Sequence, residues 1–317
     1  MALCKKPFRQ GSQSFGCGQC IPCLIQRRRT WTHRLMLESY SHESAAFVTL
    51  TYDPENEPPG RTLVRRDVTL WLDKFRKKVL RKYGRRIRYY YVGEYGDENS
   101  RPHYHIALYG GGFCHNGRSI YSKTQKTCCP FCDLVLSTWE KGLIHVDELN
   151  PTTAQYVCGY VTKKMTHPES KCTDKCTHPP LNGRKPEFSS MSKKPGIGAL
   201  AITKVADALT TDGGATTIIN DGDVPLALAH GRKKMPIGRY LRTKIRERYG
   251  FEETGTPKEL LLKLQQDARD LEEMEARIYE EEGRSPTEYY RDRAATRSQK
   301  IRNIETKFKI WSKKGTL

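Results

Sequence analysis

Two histidines one residue apart, His103 and His105, carry the clearest chemical potential in this chain. They follow Arg101-Pro102 and lead into Ile106-Ala107-Leu108-Tyr109, a run with no helical period that Gly110 ends. The run reads as a strand. On a strand, residues i and i+2 share a face, so both imidazoles project to one side and Tyr104, Ile106 and Leu108 to the other. That is half of a metal site on a rigid element, although two half-buried sheet histidines would leave the same pattern. Arg88 to Glu94 reads as a second strand, and the polar stretch from Gly96 to Ser100 as the turn between them. Counting back across a turn centred near residues 98–99 sets Glu94 opposite His103. One carboxylate and two imidazoles suit a divalent ion with positions left open for water and substrate. A slip of one residue would turn Glu94 to the opposite face.

A second stretch runs Tyr156-Val157-Cys158-Gly159-Tyr160-Val161-Thr162-Lys163-Lys164, behind a helix start at Asn150-Pro151-Thr152. Tyr156 and Tyr160 are four apart and Lys163 three beyond Tyr160, so all three share a helix face, with Lys164 beside them. Two tyrosines at this spacing could equally be ordinary core or surface aromatics.

Cysteines form further constellations. Cys17, Cys20 and Cys23 stand at C-x-x-C-x-x-C spacing, three ligands of a tetrahedral zinc site whose fourth would be Cys4 or a distant residue. Cys114, Cys129 and Cys132, with His115 or Cys128, could form a second small zinc knuckle. His167, Cys172, Cys176 and His178 offer a third, looser spacing. Eleven cysteines are an odd count. With no signal-peptide-like start, they point to reduced thiols or metal ligands rather than disulfides.

The elements that must position these groups can be read around them. Phe47 to Tyr52 is a strand by composition, closed by Asp53-Pro54. Val68, Trp71, Leu72, Phe75 and Val79 recur at helical spacing before Gly84. A basic helix is expected from Cys23 to about Tyr40, where Arg27, Arg28 and Arg29 could contact phosphate. Leu134 to Trp139 reads as a short helix and Leu143 to Val146 as a strand. Residues 257–282 read as an amphipathic helix with Leu260, Leu264, Leu271, Met274 and Ile278 on one stripe. The expected division is a Cys-rich basic segment over 1–45, a nuclease core over 46–170, a basic loop-rich extension over 171–255, and the amphipathic helix with its basic tail over 256–317.

The 317 residues hold 55 Lys+Arg against 36 Asp+Glu, a net charge of +19. Such a balance selects polyanions, with nucleic acid the default partner. No apolar run approaches the roughly 18 residues of a membrane-spanning helix, so no membrane role and a cytoplasmic setting are expected. A metal on a sheet, paired tyrosines on a helix and a basic surface together suit transesterification of a DNA phosphodiester. A tyrosine oxygen would attack the phosphate, leaving a 5′-phosphotyrosine and a free 3′-hydroxyl.

Three stretches, in order, carry a family resemblance. Phe47-Val48-Thr49-Leu50-Thr51-Tyr52-Asp53 is the first, and Gly93-Glu94-Tyr95-Gly96 with Arg101-Pro102-His103-Tyr104-His105 the second. The Tyr156 to Lys164 stretch is the third. Together they resemble the replication initiators of microviruses, particularly the gokushovirus type, within the HUH endonuclease superfamily. The likeness extends to the Cys17 to Cys23 cluster, Pro186-Glu187-Phe188 and Pro195-Gly196-Ile197-Gly198. It implies an α+β, HUH-type palm: a central antiparallel sheet of about five strands flanked by helices, with Cys-rich inserts and a helical C-terminal extension. His103, His105 and Glu94 carry over as ligands of Mg2+ or Mn2+. Tyr156 and Tyr160 carry over as nucleophiles supported by Lys163 and Lys164, and Thr49, Thr51 and Arg101 are expected against DNA. The implied reaction is nicking and rejoining of viral origin DNA in rolling-circle replication in a bacterial host's cytoplasm. No G-x-x-x-x-G-K-[ST] is present, so unwinding would fall to a host helicase and synthesis to a host polymerase. A relaxase- or transposase-like nuclease of a mobile element, or a non-catalytic zinc-containing DNA-binding protein, are the competing readings.

Overall fold

The strand carrying the two histidines lies near the centre of a six-stranded antiparallel sheet in the computed structural model, which describes residues 3–10, 13–96, 99–159, 181–251 and 255–313. In chain order the elements up to the sheet's last strand are β1 (Phe8–Gln10), β2 (Gln13–Phe15), α1 (Ile21–Ser39), β3 (Ala45–Tyr52), α2 (Arg65–Tyr83), β4 (Arg88–Tyr95), β5 (Pro102–Tyr109), β6 (Ser119–Tyr121), α3 (Pro130–Trp139), β7 (Gly142–Glu148), α4 (Pro151–Gly159) and β8 (Phe188–Met191). After them come α5 (Ile202–Leu209), α6 (Asp212–Asp221), β9 (Ala227–His230), β10 (Lys233–Pro236), α7 (Gly238–Arg248), α8 (Lys258–Glu281) and α9 (Pro286–Lys313). The mixed α and β architecture, cysteine clusters and helical C-terminal region agree with the expectation. The sheet has one strand more than the approximate five, and β6 is only three residues long.

The chain divides into two compact units, residues 31–201 and residues 1–30 with 202–317. In the first, the sheet runs in the order β6-β7-β3-β5-β4-β8. Strand alternation gives it two chemically different faces. On one, Val48, Leu50, Tyr52, Tyr104, Ile106, Leu108, Ile144 and Val146 pack against Trp71, Phe75 and Val79 of α2 and Phe131, Val135 and Trp139 of α3. α2 ends at Gly84 with φ +65°, and its amide caps the Leu80 carbonyl, the left-handed stop that glycine adopts without strain. On the other face, Phe47, Tyr90, Val92, Ala107 and Tyr109 meet Leu35 of α1 and Ala154, Val157 and Cys158 of α4. Near one end of the strands this second face turns polar, at Glu94, His103, His105, Thr49 and Thr51.

The residue between the histidines anchors them from behind. Tyr104 is fully buried. Its hydroxyl lies 2.9 Å from that of Tyr52, accepts the Val64 amide at 2.8 Å and lies 3.0 Å from the Val64 carbonyl. Burial raises its phenol to about 12, so it stays a neutral structural group. Elsewhere in this unit, the buried Glu38 carboxylate of α1 accepts bonds from His42, Arg88 and the Gly198 amide. Burial alone would raise its pKa; these donors outweigh it and hold the group below its ordinary 4.5.

In the second unit, β9 and β10 form a hairpin. Asp223 pairs with Arg242 and Arg246 of α7. No residue of α8 is buried, and Leu264, Leu271, Met274 and Ile278 of its apolar stripe remain exposed. Among the described residues, no helix is long and apolar enough to cross a membrane.

Candidate metal centre and nucleophile

The β4–β5 hairpin has the register the turn count requires: Glu94 pairs with His103 and Val92 with His105. Directly paired residues face the same side of a sheet, as do residues i and i+2. Glu94, His103 and His105 therefore share one face. β3 adds Thr51 beside His103 and Thr49 beside His105, and each threonine hydroxyl meets the Nδ1 of its neighbour, at 3.0 and 2.8 Å. A hydroxyl on Nδ1 fixes the ring plane and leaves Nε2 as the outward edge, the arrangement in which imidazoles serve as metal ligands.

His105 Nε2 lies 2.9 Å from Glu94 Oε1, and both residues are almost wholly buried. Two ligands at right angles, each about 2.1 Å from one ion, would stand about 3.0 Å apart. This pair of donor atoms is therefore spaced as two ligands of a shared divalent ion would be. His103 is on the same face, its ring centroid 6.3 Å from that of His105, and its Nε2 edge faces Gly96. A Cβ on Gly96 would fall 2.8 Å from that Nε2, so the absent side chain makes room for the ring. The donor set of one carboxylate and two imidazoles fits a divalent ion such as Mg2+ or Mn2+.

Tyr156 reaches this site from α4. Asn150 caps the helix, its Oδ1 accepting the amides of Thr152 and Thr153 at 2.9 and 3.0 Å, and Pro151 takes the first turn, where no amide is required. Ala154, Val157 and Cys158 bury the inner face. Tyr156, just off that face, is 39% exposed. Its ring stands edge-on to His105, with centroids 5.2 Å apart at 87°, and edge-on to Phe47 at 6.0 Å. Phe47 in turn stacks flat on His105 at 5.6 Å. Phe47 thus packs against both the histidine and the tyrosine, fixing their separation. Tyr160, Lys163 and Lys164 lie outside the described residues, as do His167, Cys172, Cys176 and His178.

One histidine at this site escaped the sequence reading. His145 of β7 pairs with Thr49, as His105 does from the other side, so the three share the face. Its Nε2 is buried without a hydrogen-bond partner, and its ring meets Phe47 edge-on at 6.1 Å. Burial, with the Arg118 charge, pushes its pKa down, keeping it neutral. The available signal was Leu143 to Val146 as a strand; its neighbour was not.

Most of the expected DNA contacts are placed otherwise. Thr49 and Thr51 spend their hydroxyls on the histidines. Arg101 donates to Glu57 and to the Tyr52 carbonyl at 2.6 Å, bracing the end of β3. Arg28 is buried, because the α1 residues around it alternate between core and solvent with the helical period. Arg29 donates to the Lys234 carbonyl at 2.6 Å, and Arg27 remains exposed.

The cysteines gather as two tetrads, Cys4-Cys17-Cys20-Cys23 and Cys114-Cys128-Cys129-Cys132, each able to hold a metal ion. The open fourth positions are filled by Cys4 and Cys128; His115 instead rests against Phe113. Amides of Gln19 and Cys20 hold the Cys17 thiol down to about 6. The Tyr121 hydroxyl does the same for Cys128, also to about 6.

An antiparallel sheet carrying a carboxylate and histidines under a tyrosine-bearing helix is the arrangement implied by the HUH resemblance. Residues 45–165 match the family model for replication-associated proteins of the ORF2 type. Over 205 residues the chain is 29% identical to Replication-associated protein VP4 of Bdellovibrio phage phiMH2K, covering 61% of this chain and 59% of that protein. It is 28% identical over 171 residues to Replication-associated protein ORF4 of Chlamydia phage 1, covering 50% of this chain and 40% of the relative. To Replication-associated protein ORF2 of Spiroplasma virus 4 it is 31% identical over 165 residues, 49% of each. The chain thus spans about half the length of the curated relatives it matches. No solved structure matches. The resemblance to microvirus replication initiators drawn from the motifs is borne out.

Proposed function

We propose that this protein nicks and rejoins viral origin DNA through a tyrosine, starting and ending rolling-circle replication of a small circular phage genome in a bacterial host's cytoplasm. The observation that carries this reading is the placement of Tyr156, its ring 5.2 Å from that of His105, whose Nε2 is 2.9 Å from Glu94. Glu94, His103 and His105 would hold Mg2+ or Mn2+. Bound there, the ion would supply charge stabilisation for the scissile phosphate and lower the cost of an attacking phenolate.

The chain's own residues do the rest. Thr49 and Thr51 fix the imidazoles, and Phe47 sets the tyrosine ring against His105. The Tyr156 oxygen attacks phosphorus, the bond to the 3′-oxygen breaks, and the phenolic proton leaves. The products are a 5′-phosphotyrosine and a 3′-hydroxyl, with the bond energy retained for rejoining. A free phenol near pKa 10 is a weak nucleophile at neutral pH, which is why the tyrosine must sit beside a cation site. By the motif, Tyr160 would make the second cut and Lys163 and Lys164 would attend the phosphate. A net charge of +19 would bind the DNA backbone without reading sequence. Host helicase and polymerase would complete the cycle.

The test is a nicking assay on supercoiled DNA carrying the phage's own origin. Open circles that appear only with Mg2+ or Mn2+, and vanish in His105→Ala, support the proposal. Salt-sensitive binding with no nick under any divalent ion would make this a DNA-binding protein instead.

A further inference from the structure

We infer that both cysteine tetrads are structural zinc sites, so that the chain carries two Zn2+ ions besides any ion at the histidines. Four thiolates around one zinc, each about 2.3 Å from it, stand about 3.8 Å apart. Within each tetrad the ligand atoms all lie within 4.8 Å of one another. Cys20 and Cys4 are 3.9 Å apart, Cys114 and Cys128 3.4 Å, and Cys128 and Cys132 3.9 Å. All eight are free thiols. An iron–sulfur cube would place its cysteines on separate irons and spread their sulfurs more widely.

The surroundings are built for sulfur that carries negative charge. In the first tetrad the amide of Cys17 donates to Cys4 Sγ at 3.2 Å, those of Cys20 and Gln19 to Cys17 Sγ at 3.3 and 3.5 Å, and that of Lys5 to Cys20 Sγ at 3.5 Å. Neutral thiols are weak acceptors and do not require such a shell. Gly18 makes the turn between Cys17 and Cys20 at φ +73°, and a Cβ on Gly16 would fall 2.9 Å from Cys23 Sγ. In the second tetrad Cys129 sits at the N-cap of α3, where the helix dipole favours an anion.

Local structure also calls for a crosslink. β1, β2 and β6 are three residues each, too short to hold the segments around Cys4 to Cys17 and Cys114 to Cys128 by pairing and burial alone. A zinc ion at each tetrad would supply the missing folding energy. In the first tetrad, the Cys4 carbonyl is further tied to Arg297 at 2.9 Å.

The experiment is elemental analysis of the full chain purified without an affinity tag that binds metal, together with zinc-edge X-ray absorption. The expected result is two zinc ions per chain with a first shell of four sulfurs at about 2.3 Å. Cys17→Ser with Cys20→Ser should lower the content to one, and so should Cys128→Ser with Cys132→Ser. Because a serine variant could unfold, cobalt is also titrated into the wild-type chain stripped under mild conditions. Two equivalents should develop the intense visible bands of tetrahedral cobalt thiolate. Less than one zinc per chain, a nitrogen or oxygen shell, or iron in place of zinc would overturn the inference. One zinc, lost entirely with a single pair of serines, would overturn the other tetrad's assignment.

Discussion

Thr49→Val probes the site without touching a residue that would bind metal or DNA directly. Valine keeps the β-branched shape that suits a strand and removes the hydroxyl that lies 2.8 Å from His105 Nδ1. The buried Nδ1 then lacks that partner, a loss of about 1–3 kcal/mol in stability. The more telling effect is on metal. Residues that orient a ligating histidine typically alter metal affinity or activity by about 10–100-fold when removed, and tenfold corresponds to about 1.4 kcal/mol. Nicking rates are measured against Mn2+ concentration for wild type and variant. The half-saturating Mn2+ should rise about tenfold or more in Thr49→Val, and the rate should largely recover at saturating metal. An unchanged Mn2+ midpoint alongside a lowered melting temperature would refute the reasoning, leaving Thr49 a structural residue only.

Gly96→Ala should cut nicking while leaving the melting temperature nearly unchanged, because its Cβ would press within 2.8 Å of His103 Nε2 while Thr51 holds the ring's other edge; wild-type nicking kinetics in the variant would contradict this. Tyr104→Phe should lower stability by about 1–3 kcal/mol in urea unfolding, through the Tyr52 and Val64 contacts it loses; an unchanged midpoint would show that the network contributes nothing. Glu38 has a folded pKa below its ordinary 4.5, so its contribution is fully present above about pH 4.5 and is lost as pH falls through the lower folded value. Glu38→Gln should therefore destabilise the chain at pH 7 by about 3 kcal/mol and flatten the loss of stability below pH 4.5; an acid limb identical to wild type would contradict that linkage.

Much of the site was legible because its determinants are local. Strand parity puts His103 and His105 on one face, and a short hairpin fixes Glu94 against His103. The cysteine spacings likewise foretold both tetrads, leaving only Cys4 over a distant ligand and Cys128 over His115 to be decided. His145 was not legible. It joins the site because β7 and β5 both flank β3, and that strand order follows from packing across the whole sheet. Thr49 and Thr51 were expected against DNA because their neighbours across the β3–β5 pair were unknown. Arg28 was grouped with two other arginines by sequence adjacency, yet in a helix adjacent residues point about 100° apart, and only the packing around α1 decides which is buried.

The central claim is that Tyr156 attacks DNA beside a cation held by Glu94, His103 and His105. The most direct measurement is mass spectrometry of peptides from the protein after incubation with single-stranded origin DNA and Mn2+. The account predicts a nucleotide adduct on the peptide containing Tyr156 and Tyr160, absent without divalent ion and absent in His105→Ala. An adduct confined to tyrosines elsewhere in the chain, or no adduct under conditions where the origin DNA is bound, would contradict it.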